Sequence, residues 1–240
     1  MLSPIEQSKR TAARQAVDEY VQSGFVVGIG SGSTVVYAAE HLGELVKEQK
    51  LTDIRCIPTS FQSKQLIAQY KLTLTSLDEY PVIDVTIDGA DEVDLQLNCI
   101  KGGGGCQLQE KIVAFAARKF VVIADYRKES NKLGEQWVQG VPIEVVPMAY
   151  VPLMHKMKQD FCGSPVLRMA KCKAGPVVTD NGNFVLDVNF GEISDPKTLC
   201  DHLKLLPGVA EVGLFCGMAE KVYFGQTDGS ITTRIAKKSA

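Results

Sequence analysis

The segment from Asp88 to Glu110 is dense in residues that could transfer protons on a small anionic molecule. It contains two spaced carboxylates, Asp88 and Asp91, then Lys101, four consecutive glycines and a further carboxylate, Glu110. Glycines carry no side chain and weaken a helix or strand, so this tract is expected where backbone N–H groups approach a ligand closely. The segment therefore predicts an enzyme.

A second glycine-rich segment, Gly28–Thr34, lies between an apolar run and a stretch with helical spacing. The N-terminus of a helix has unsatisfied N–H groups and a partial positive charge, and Ser31, Ser33 and Thr34 add hydroxyl groups. Serine at position 33 breaks the dinucleotide pattern G-x-G-x-x-G, and no Gly-Lys-Ser/Thr of a P-loop follows. The segment favours a phosphomonoester site; the alternative is a tight turn with a serine cap.

The residues of the first segment also have ordinary structural interpretations. The pair Asp88 and Asp91 could form an Asx turn, and Lys101 and Glu110 could be exposed, as most lysines and glutamates are. Two more acids follow Asp91, and their charge needs a ligand or a lysine to offset it. Because these residues occur together in one short segment, a functional role for them is favoured over the structural interpretations. Glu110 is the best candidate for a base, because a carboxylate near an apolar helix–sheet junction takes a carbon-bound proton more readily.

Composition places the chain among ordinary globular proteins. Its 240 residues are 45% hydrophobic and 22% charged, with a formal net charge of −2. No basic excess points to nucleic acid, and no apolar run approaches the ~20 residues of a membrane span. The chain starts without the apolar core of a signal peptide, so we expect a cytoplasmic protein.

Cysteines and histidines give no pattern of a metal site. The seven cysteines include no C-x-x-C pair and are expected to be reduced thiols. Cys106 could be reactive because it follows the glycine tract at the start of a helix. The three histidines, His41, His155 and His202, have no second ligand at metal spacing. We therefore expect no metal and no other cofactor.

These motifs need a scaffold, and the first 125 residues predict a parallel sheet with helices on both faces. Ligands bind such sheets at the carboxyl ends of the strands. The segments Gly30–Thr34, Asp88–Asp91 and the residues after Asp125 all follow predicted strands, so we expect them at one edge of the sheet. The predicted strands are 25–29, 54–57, 82–87 and 120–124, and the predicted helices are 34–48, 61–70 and 105–118.

The second half changes to the order βαββαβ, typical of a small ferredoxin-like module. The turn signal Asp180–Asn183 predicts a hairpin that joins strands 176–179 and 184–186. A last hairpin, 222–224 with 231–233, is expected to return to the first domain. The remaining predicted elements are strands 142–146, 166–168 and 209–215, a helix at 150–161 and a helix that opens at Asp195-Pro196.

We therefore predict an α/β fold: a Rossmann-like, mostly parallel sheet with helices on both faces, plus a smaller α+β ferredoxin-like domain. Residues 1–134 and 217–240 are expected to form the catalytic domain and residues 135–216 the small one. The small domain and its apolar strands favour a homodimer or a higher homo-oligomer. Neither nucleic acid nor a membrane is an expected partner.

The motifs resemble those of the type A ribose-5-phosphate isomerases. The similarity runs in order from about residue 10 to about residue 235. Ser31 stands where many members carry threonine, which keeps the hydroxyl group, and Gly105 replaces the alanine of some members. The matching segments are Gly28–Thr34, Asp88–Glu92, Lys101–Gly104, Glu110-Lys111, Ile123–Asp125, Lys128, Pro142–Val145, Val178–Asn183 and Pro207–Val209.

This resemblance implies the interconversion of D-ribose 5-phosphate and D-ribulose 5-phosphate through an enediolate, a step of the non-oxidative pentose phosphate pathway, without a cofactor. It implies that Glu110 is the proton acceptor, with Asp88, Asp91 and Lys101 as further catalytic residues. The substrate contacts that it implies are Ser31, Gly32, Ser33, Thr34, Asp88, Gly89, Ala90, Asp91, Lys101, Gly102, Gly103, Gly104 and Lys128.

Two other classes of protein share this kind of sheet. A sugar-phosphate sensor that regulates transcription would carry a helix-turn-helix, and the ~24 residues before the first strand are too few for one. An amino-sugar phosphate deaminase is expected to need a histidine near the site, and none of the three histidines falls in a motif. The isomerase is the stronger hypothesis.

Overall fold

The structure is a computed structural model that describes residues 2–236. Its α-helices are α1 Pro4–Tyr20, α2 Val35–Lys47, α3 Phe61–Gln69, α4 Gln107–Phe115, α5 Tyr150–Asp160 and α6 Pro196–Lys204. Its strands are β1 Val26–Ile29, β2 Arg55–Pro58, β3 Thr73–Leu74, β4 Val85–Gly89, β5 Glu92–Val93, β6 Cys99–Ile100, β7 Phe120–Asp125, β8 Val141–Val145, β9 Ser164–Leu167, β10 Phe184–Asn189, β11 Val209–Val212, β12 Leu214–Phe215, β13 Lys221–Gly225 and β14 Ile231–Ile235. Short 3₁₀ helices cover Tyr126–Lys128 and Pro147–Ala149. Within residues 2–236, no helix is both long enough and apolar enough to cross a membrane.

The chain forms two compact units. Unit 1 comprises Met1–Ala90, Gln109–Glu129 and Gly217–Ala240, and unit 2 comprises Asp91–Leu108 and Ser130–Cys216. These units differ from the predicted domains at residues 91–108 and 130–134, which the sequence placed in the first domain and which belong to unit 2. The assignment of 1–134 with 217–240 as a catalytic domain stays a prediction.

Unit 1 is built on a seven-stranded sheet in the order β14-β13-β7-β4-β1-β2-β3. Neighbouring strands from β13 to β3 are parallel, and only β14 runs antiparallel, to β13. The prediction of a mostly parallel sheet is confirmed. The last hairpin of the described chain joins the sheet of unit 1 through β13 and β7, as expected.

Helices cover both faces of this sheet. Alternate residues of each strand point to opposite sides, so each strand contributes side chains to both helix layers. In β1, Val27 and Ile29 pack in an apolar cluster with residues of α1, α2 and α3. Val26, which points to the opposite face, packs in a separate cluster with Val113 of α4. The fold class predicted for the first domain is therefore confirmed.

Unit 2 contains a four-stranded antiparallel sheet in the order β11-β8-β10-β9. Its strands and helices follow the order βαββαβ along the chain, as predicted for a ferredoxin-like module. Ile143 of β8 packs in one apolar cluster with Leu153 of α5 and Leu203 of α6. A second, small sheet of unit 2 has the order β12-β6-β5.

The predicted strand 176–179 and its hairpin do not form. Pro176 makes only an isolated bridge to Met169, and β10 pairs instead with β8 and β9. The turn itself exists, since the N–H of Thr179 donates to the carbonyl of Asn183. Polar side chains hold the segment as a loop: Thr179 Oγ1 donates to the buried Glu144 Oε1 at 2.8 Å.

The predicted strand 209–215 is divided in two at Gly213. Its first part, β11, joins the four-stranded sheet, and its second part, β12, pairs with β6. The N–H of Gly213 donates to the carbonyl of Pro142, and its own carbonyl accepts from the N–H of Lys101. The bend at Gly213 therefore anchors the backbone of Lys101.

Candidate active site

In unit 1, three adjacent parallel strands end at three of the motifs. β1 leads into Gly30–Thr34, β4 contains Asp88, and β7 ends at Asp125 before the turn that carries Lys128. Because the carboxyl ends of parallel strands meet at one edge of a sheet, these motifs lie along the same edge, as the sequence predicted. This edge is the candidate site of unit 1.

Asp88 is fully buried at the end of β4, where backbone groups hold it. Its Oδ1 accepts the N–H of Ser31 at 3.0 Å and the N–H of Gly89 at 2.7 Å. A Cβ atom at position 30 would lie 2.1 Å from Asp88 Oδ1, so only glycine fits there. The two strand ends therefore fix the direction of the Asp88 carboxylate.

The hydroxyl group of Ser31 points into the protein. Its Oγ donates to Ser60 Oγ at 2.6 Å and lies 2.8 Å from Thr59 Oγ1. Ser60 also caps α3, where its side chain accepts the N–H of Ser63. Ser31 thus joins its loop to α3, and its contact with a substrate stays a prediction.

The start of α2 has the features of an anion site. Thr34 is its N-cap residue, and no side chain caps the helix there. Gly32 has a left-handed φ of +102° and donates its N–H to Gln62 Oε1 at 2.8 Å. An N-terminus without a side-chain cap keeps N–H groups for a bound anion.

Lys9 of α1 reaches this loop, and the sequence did not reveal it. Its Nζ donates to Ser33 Oγ at 3.0 Å and to Glu6 Oε1 at 2.7 Å. The hydrogen bond from Lys9, followed by one from Tyr37, holds the pKa of Glu6 below its usual range. Because Lys9 lies on an amphipathic helix before the first motif, no local pattern marks it as part of a site.

Glu110 lies in the first turn of α4 and is 4% exposed. One turn later, Val113 packs on the sheet, and its carbonyl accepts from Thr86 Oγ1 of β4 at 3.3 Å. A Cβ atom at position 28 would lie 2.2 Å from Thr86 Oγ1 and 2.7 Å from Val113 Cγ1, so Gly28 allows this close approach. The sheet therefore fixes the helix that carries Glu110.

Lys128 lies in the 3₁₀ turn after β7 and is partly buried. Asp125 caps this turn, and its carboxylate accepts two side-chain bonds from Arg127, at 2.7 and 3.0 Å. Burial raises the pKa of Asp125, but the bonds from Arg127 and the charge of Lys128 outweigh it and hold the pKa below its usual range. Asp125 thus fixes the turn as an anion.

In unit 2, a short hairpin places Asp91 beside Lys101. Strands β5 and β6 are antiparallel, and the N–H of Asp91 donates to the carbonyl of Ile100. Lys101 is 2% exposed, and its Nζ lies 5.3 Å from the centre of the Phe215 ring. The hairpin thus brings together one carboxylate and one cation of the predicted site.

The other two acids of this segment have structural roles. Glu92 is fully buried and accepts the N–H groups of Gly134 and Gln136, both at 2.6 Å. Asp94 accepts the N–H and the side-chain amide of Asn98, both at 2.8 Å. Backbone and amide donors therefore offset the charge of these two acids.

The glycine tract follows Lys101 as a loop of turns. Gly102 and Gly105 have left-handed φ values of +105° and +75°, which favour glycine. The N–H of Gly103 donates to Asp91 Oδ2 at 2.7 Å. A Cβ atom at position 103 would lie 2.6 Å from Asp91 Oδ1. The tract thus holds Asp91 through its backbone.

In the part of the chain that the structure describes, the cysteines and the metal-ligating residue types form no metal site and no disulfide. Residues 2–236 contain no cluster of three or more His, Cys, Asp or Glu side chains able to hold a metal. All seven cysteines are outside disulfides. Burial raises the pKa of the Cys56 thiol to about 12, as expected for a structural cysteine. Cys106 is partly exposed, and its Sγ lies 3.6 Å from the carbonyl oxygen of Gly104.

Comparison with known proteins identifies the family. Residues 55–229 match the family described as ribose 5-phosphate isomerase A (phosphoriboisomerase A). The chain is 55% identical to the ribose-5-phosphate isomerase of Homo sapiens over 233 residues, which are 97% of this chain and 75% of that one. It is 54% identical to the enzyme of Dictyostelium discoideum over 228 residues, 94% of this chain and 97% of that one.

Solved structures agree with this assignment. A D-ribose-5-phosphate isomerase in complex with phospho-erythronic acid is 39% identical, with a TM-score of 0.93, over 96% of this chain and 99% of that one. Ribose 5-phosphate isomerase A from Methanocaldococcus jannaschii is 42% identical, with a TM-score of 0.89 over the same shares. The chain therefore belongs to the ribose 5-phosphate isomerase A family.

Proposed function

We propose that Glu110 is the base with which this chain interconverts D-ribose 5-phosphate and D-ribulose 5-phosphate. The observation that supports it is the placement of Glu110: a carboxylate that is only 4% exposed, on a helix fixed to the sheet beside the strand that carries Asp88. The isomerisation moves a proton between C1 and C2 through an enediolate. One rigidly held carboxylate can remove and return that proton on a single face of the substrate.

Lys101 and the glycine tract stabilise the negative charge of the enediolate in this proposal. Lys101 is buried, and an ammonium group interacts with other charges more strongly in such an environment than in water. The N–H groups of Gly102 and Gly104 belong to a loop whose turns fix their directions, whereas the N–H of Gly103 donates to Asp91 Oδ2. Fixed donors of this kind cost no reorganisation during the reaction and stabilise a developing oxyanion.

Asp88 and Asp91 bind the sugar hydroxyl groups and serve in ring opening. Asp88 is oriented by the N–H groups of Ser31 and Gly89, and Asp91 by the N–H of Gly103. Carboxylates whose direction is fixed by backbone donors are suited to accept hydroxyl protons at defined positions. Gly89 and Ala90, between the two acids, contact the substrate through their backbone.

The phosphate group is bound at the start of α2. Gly32, Ser33 and Thr34 contribute N–H and hydroxyl donors there, together with Ser31, and Lys128 contributes a positive charge. Lys9 extends the set assigned from the sequence, since its ammonium group lies 3.0 Å from Ser33 Oγ. A helix N-terminus with two lysines provides both donors and charge for a phosphomonoester.

The proposed mechanism uses only side chains and backbone groups of the chain, so it needs no cofactor. We expect turnover to survive exhaustive treatment with a chelator and to require no added nucleotide. The measurement is the rate with ribose 5-phosphate before and after chelation. Recovery of lost turnover only when a divalent metal is added would contradict a cofactor-free reaction.

We further propose that the protein acts in the cytoplasm as a homodimer or a higher homo-oligomer. Seven cysteines outside disulfides accord with a reducing compartment. Large apolar side chains are exposed in each unit, including Phe115 at 85%, Met148 at 92% and Leu205 at 80%. Exposed apolar side chains of this size offer surface that a second copy of the chain can cover. Light scattering over a range of protein concentrations measures the oligomeric state. A monomer at every concentration would contradict the proposal.

The substitution Glu110→Gln tests the assignment of the base. Glutamine keeps the size of glutamate but cannot accept a proton, so kcat is expected to fall about 10²–10⁴-fold. Calorimetry is expected to show nearly unchanged binding of ribose 5-phosphate. Glu40→Gln on α2 is the matched control and is expected to keep full turnover, since Glu40 lies beyond the first turn of α2, to which the proposal assigns the phosphate. A folded Glu110→Gln variant that binds substrate and turns over within about tenfold of the unaltered protein, well short of that effect, would exclude Glu110.

A further inference from the structure

Arg168, which the sequence did not single out, is held rigidly at the end of β9 in unit 2. Its Nε donates to Asp187 Oδ2 at 2.8 Å, and its Nη2 donates to Asp187 Oδ1. The side chains of Arg168 and Asp187 are only 17% and 19% exposed. A bidentate pair between guanidinium and carboxylate fixes the plane of the guanidinium group. The third nitrogen, Nη1, is therefore held in a defined direction.

Arg168 Nη1 donates to two successive carbonyl oxygens of the glycine tract. It lies 3.0 Å from the oxygen of Gly102 and 3.1 Å from the oxygen of Gly103. A guanidinium group suits this task because it presents several donors in a fixed plane. The tract has no side chains through which it could be anchored, so bonds to its backbone are the available means to fix it.

These two bonds also fix the direction of two N–H groups. The peptide bond is planar and trans, so a carbonyl and the N–H of the next residue point in opposite directions. A carbonyl of Gly102 that points to Arg168 turns the N–H of Gly103 away, and that N–H donates to Asp91 Oδ2 at 2.7 Å. By the same geometry, the carbonyl of Gly103 turns the N–H of Gly104 away from Arg168.

The N–H of Gly104 is oriented but not used within the protein. Among residues 2–236, no acceptor bonds to it. Gly104 is exposed, and a Cβ atom at this position would meet no atom within 4 Å. A preorganised donor with no acceptor in the protein and room beside it can bond to a developing oxyanion.

We propose that Arg168 is a positioning residue for isomerisation: it orients the N–H of Gly104 toward the enediolate oxyanion and the N–H of Gly103 toward Asp91. Arg168 itself does not touch the substrate. This inference rests on the proposed function, since it assigns the glycine tract to the stabilisation of the enediolate. It adds a residue 65 positions away in sequence to the set that determines the rate.

Arg168→Lys and Arg168→Ala test this role, with phospho-erythronic acid and inorganic phosphate as probes. Lysine keeps the charge but cannot bind both oxygens of Asp187 and both glycine carbonyls. We expect kcat to fall about 10–10²-fold in both variants, the loss that follows from a small misplacement of a catalytic group. KM is expected to change less than about threefold, because the phosphate contacts of the proposal lie in unit 1.

The two inhibitors distinguish a positioning role of Arg168 from a general loss of structure. Phospho-erythronic acid carries a carboxylate whose charge resembles that of the enediolate, so its inhibition constant is expected to rise in parallel with the loss of kcat. Inhibition by inorganic phosphate is expected to stay unchanged. Added guanidinium is expected to restore part of the turnover of Arg168→Ala. Arg118→Ala is the control: it removes another ion pair between arginine and aspartate, to Asp84, without contact to the tract.

Two outcomes would overturn the proposal. The first is a kcat of Arg168→Ala within about threefold of the unaltered protein, far short of the effect of misplacement. The second is a parallel change in kcat, KM and both inhibition constants with a lower Tm, which would show a structural role alone. If Arg168→Ala does not fold, Arg168→Lys decides by the same criteria. Full activity of Glu110→Gln would show that Glu110 is not the base. The Arg168 variants would still be judged by their own kcat, KM and inhibition constants.

Discussion

Asp88 in unit 1 and the glycine tract in unit 2 are fixed by different kinds of hydrogen bond. Asp88 sits at the end of a buried strand, and the backbone N–H groups of Ser31 and Gly89 hold its carboxylate. The glycine tract is a loop whose backbone is fixed by side chains, from Asp91 on one side and Arg168 on the other. At Asp88 the sheet sets the geometry, whereas at the glycine tract a few side chains set it.

This difference predicts how each part responds to change. A group held by strand backbone cannot move unless the sheet moves, so a disturbance there is expected to lower stability together with activity. A loop held by side chains can shift while its unit stays folded, so a disturbance there is expected to lower activity with less effect on stability. Substitutions that separate these two effects test the comparison.

Lys101→Ala is expected to give the largest change in unit 2. Loss of one donor to an oxyanion costs about 10²–10³-fold in rate, and the effect should appear in kcat rather than KM if Lys101 acts chiefly on the enediolate. Steady-state kinetics with ribose 5-phosphate measures it, and exposed Lys171→Ala is the control in the same unit. A raised KM with kcat intact would make Lys101 a residue of ground-state binding.

Gly30→Ala and Gly103→Ala compare the two parts directly. At position 30, the new Cβ would lie 2.1 Å from Asp88 Oδ1 and 2.6 Å from the Asp88 Cα, which is backbone of a buried strand. At position 103, it would lie 2.6 Å from Asp91 Oδ1, at the end of a side chain. We expect Gly30→Ala to cost the upper end of about 1–3 kcal/mol in unfolding free energy.

Gly103→Ala is expected to keep most of the stability and to lose activity, because Asp91 can rotate away from the added methyl group. Thermal unfolding and kinetics of the two variants make the comparison. For a chain of this size, each 1 kcal/mol corresponds to about 2–4 °C in Tm. Equal losses of Tm in the two variants would contradict the distinction between backbone and side-chain support.

Gln107→Leu is expected to have the smallest effect. Gln107 is fully buried at the start of α4, and neither its Nε2 nor its Oε1 bonds to any described residue. Replacement of an unsatisfied buried amide by an apolar group of similar size is nearly neutral or stabilising, by up to about 1 kcal/mol. Tm and kcat are both measured, with exposed Gln96→Leu as the control. A loss of kcat would show that Gln107, and not only Arg168 and Asp91, holds the tract.

The positions of the site residues that strands hold could be predicted from the sequence. Apolar β-branched runs that end in Gly30, Asp88 and Asp125 indicate buried parallel strands, and parallel strands bring their carboxyl ends together. The positions of these residues along one edge of the sheet then follow from topology alone. The turn glycines were also recognisable, because four in a row fit no regular element.

The side-chain hydrogen bonds that hold the site loops could not be predicted from the sequence. Lys9 and Arg168 act through bonds to residues 24 and 65 positions away, and no local pattern marks the partner of a long-range bond. The predicted strand 176–179 failed for a similar reason, since Thr179 bonds to the distant Glu144 and holds the segment as a loop. The strands β3, β5 and β6 have two residues each, too few for a period of two to be visible.

Exchange of the C2 proton of the substrate with solvent tests the central claim most directly. In deuterated water, the unaltered protein is expected to place deuterium at C2 of ribose 5-phosphate as the enediolate forms and returns, which NMR detects. If Glu110 carries that proton, Glu110→Gln loses exchange and isomerisation together, by about 10²–10⁴-fold, while it still binds the sugar phosphate. Exchange that continues near the rate of the unaltered protein in folded Glu110→Gln would show that another group removes the proton, and would contradict the account.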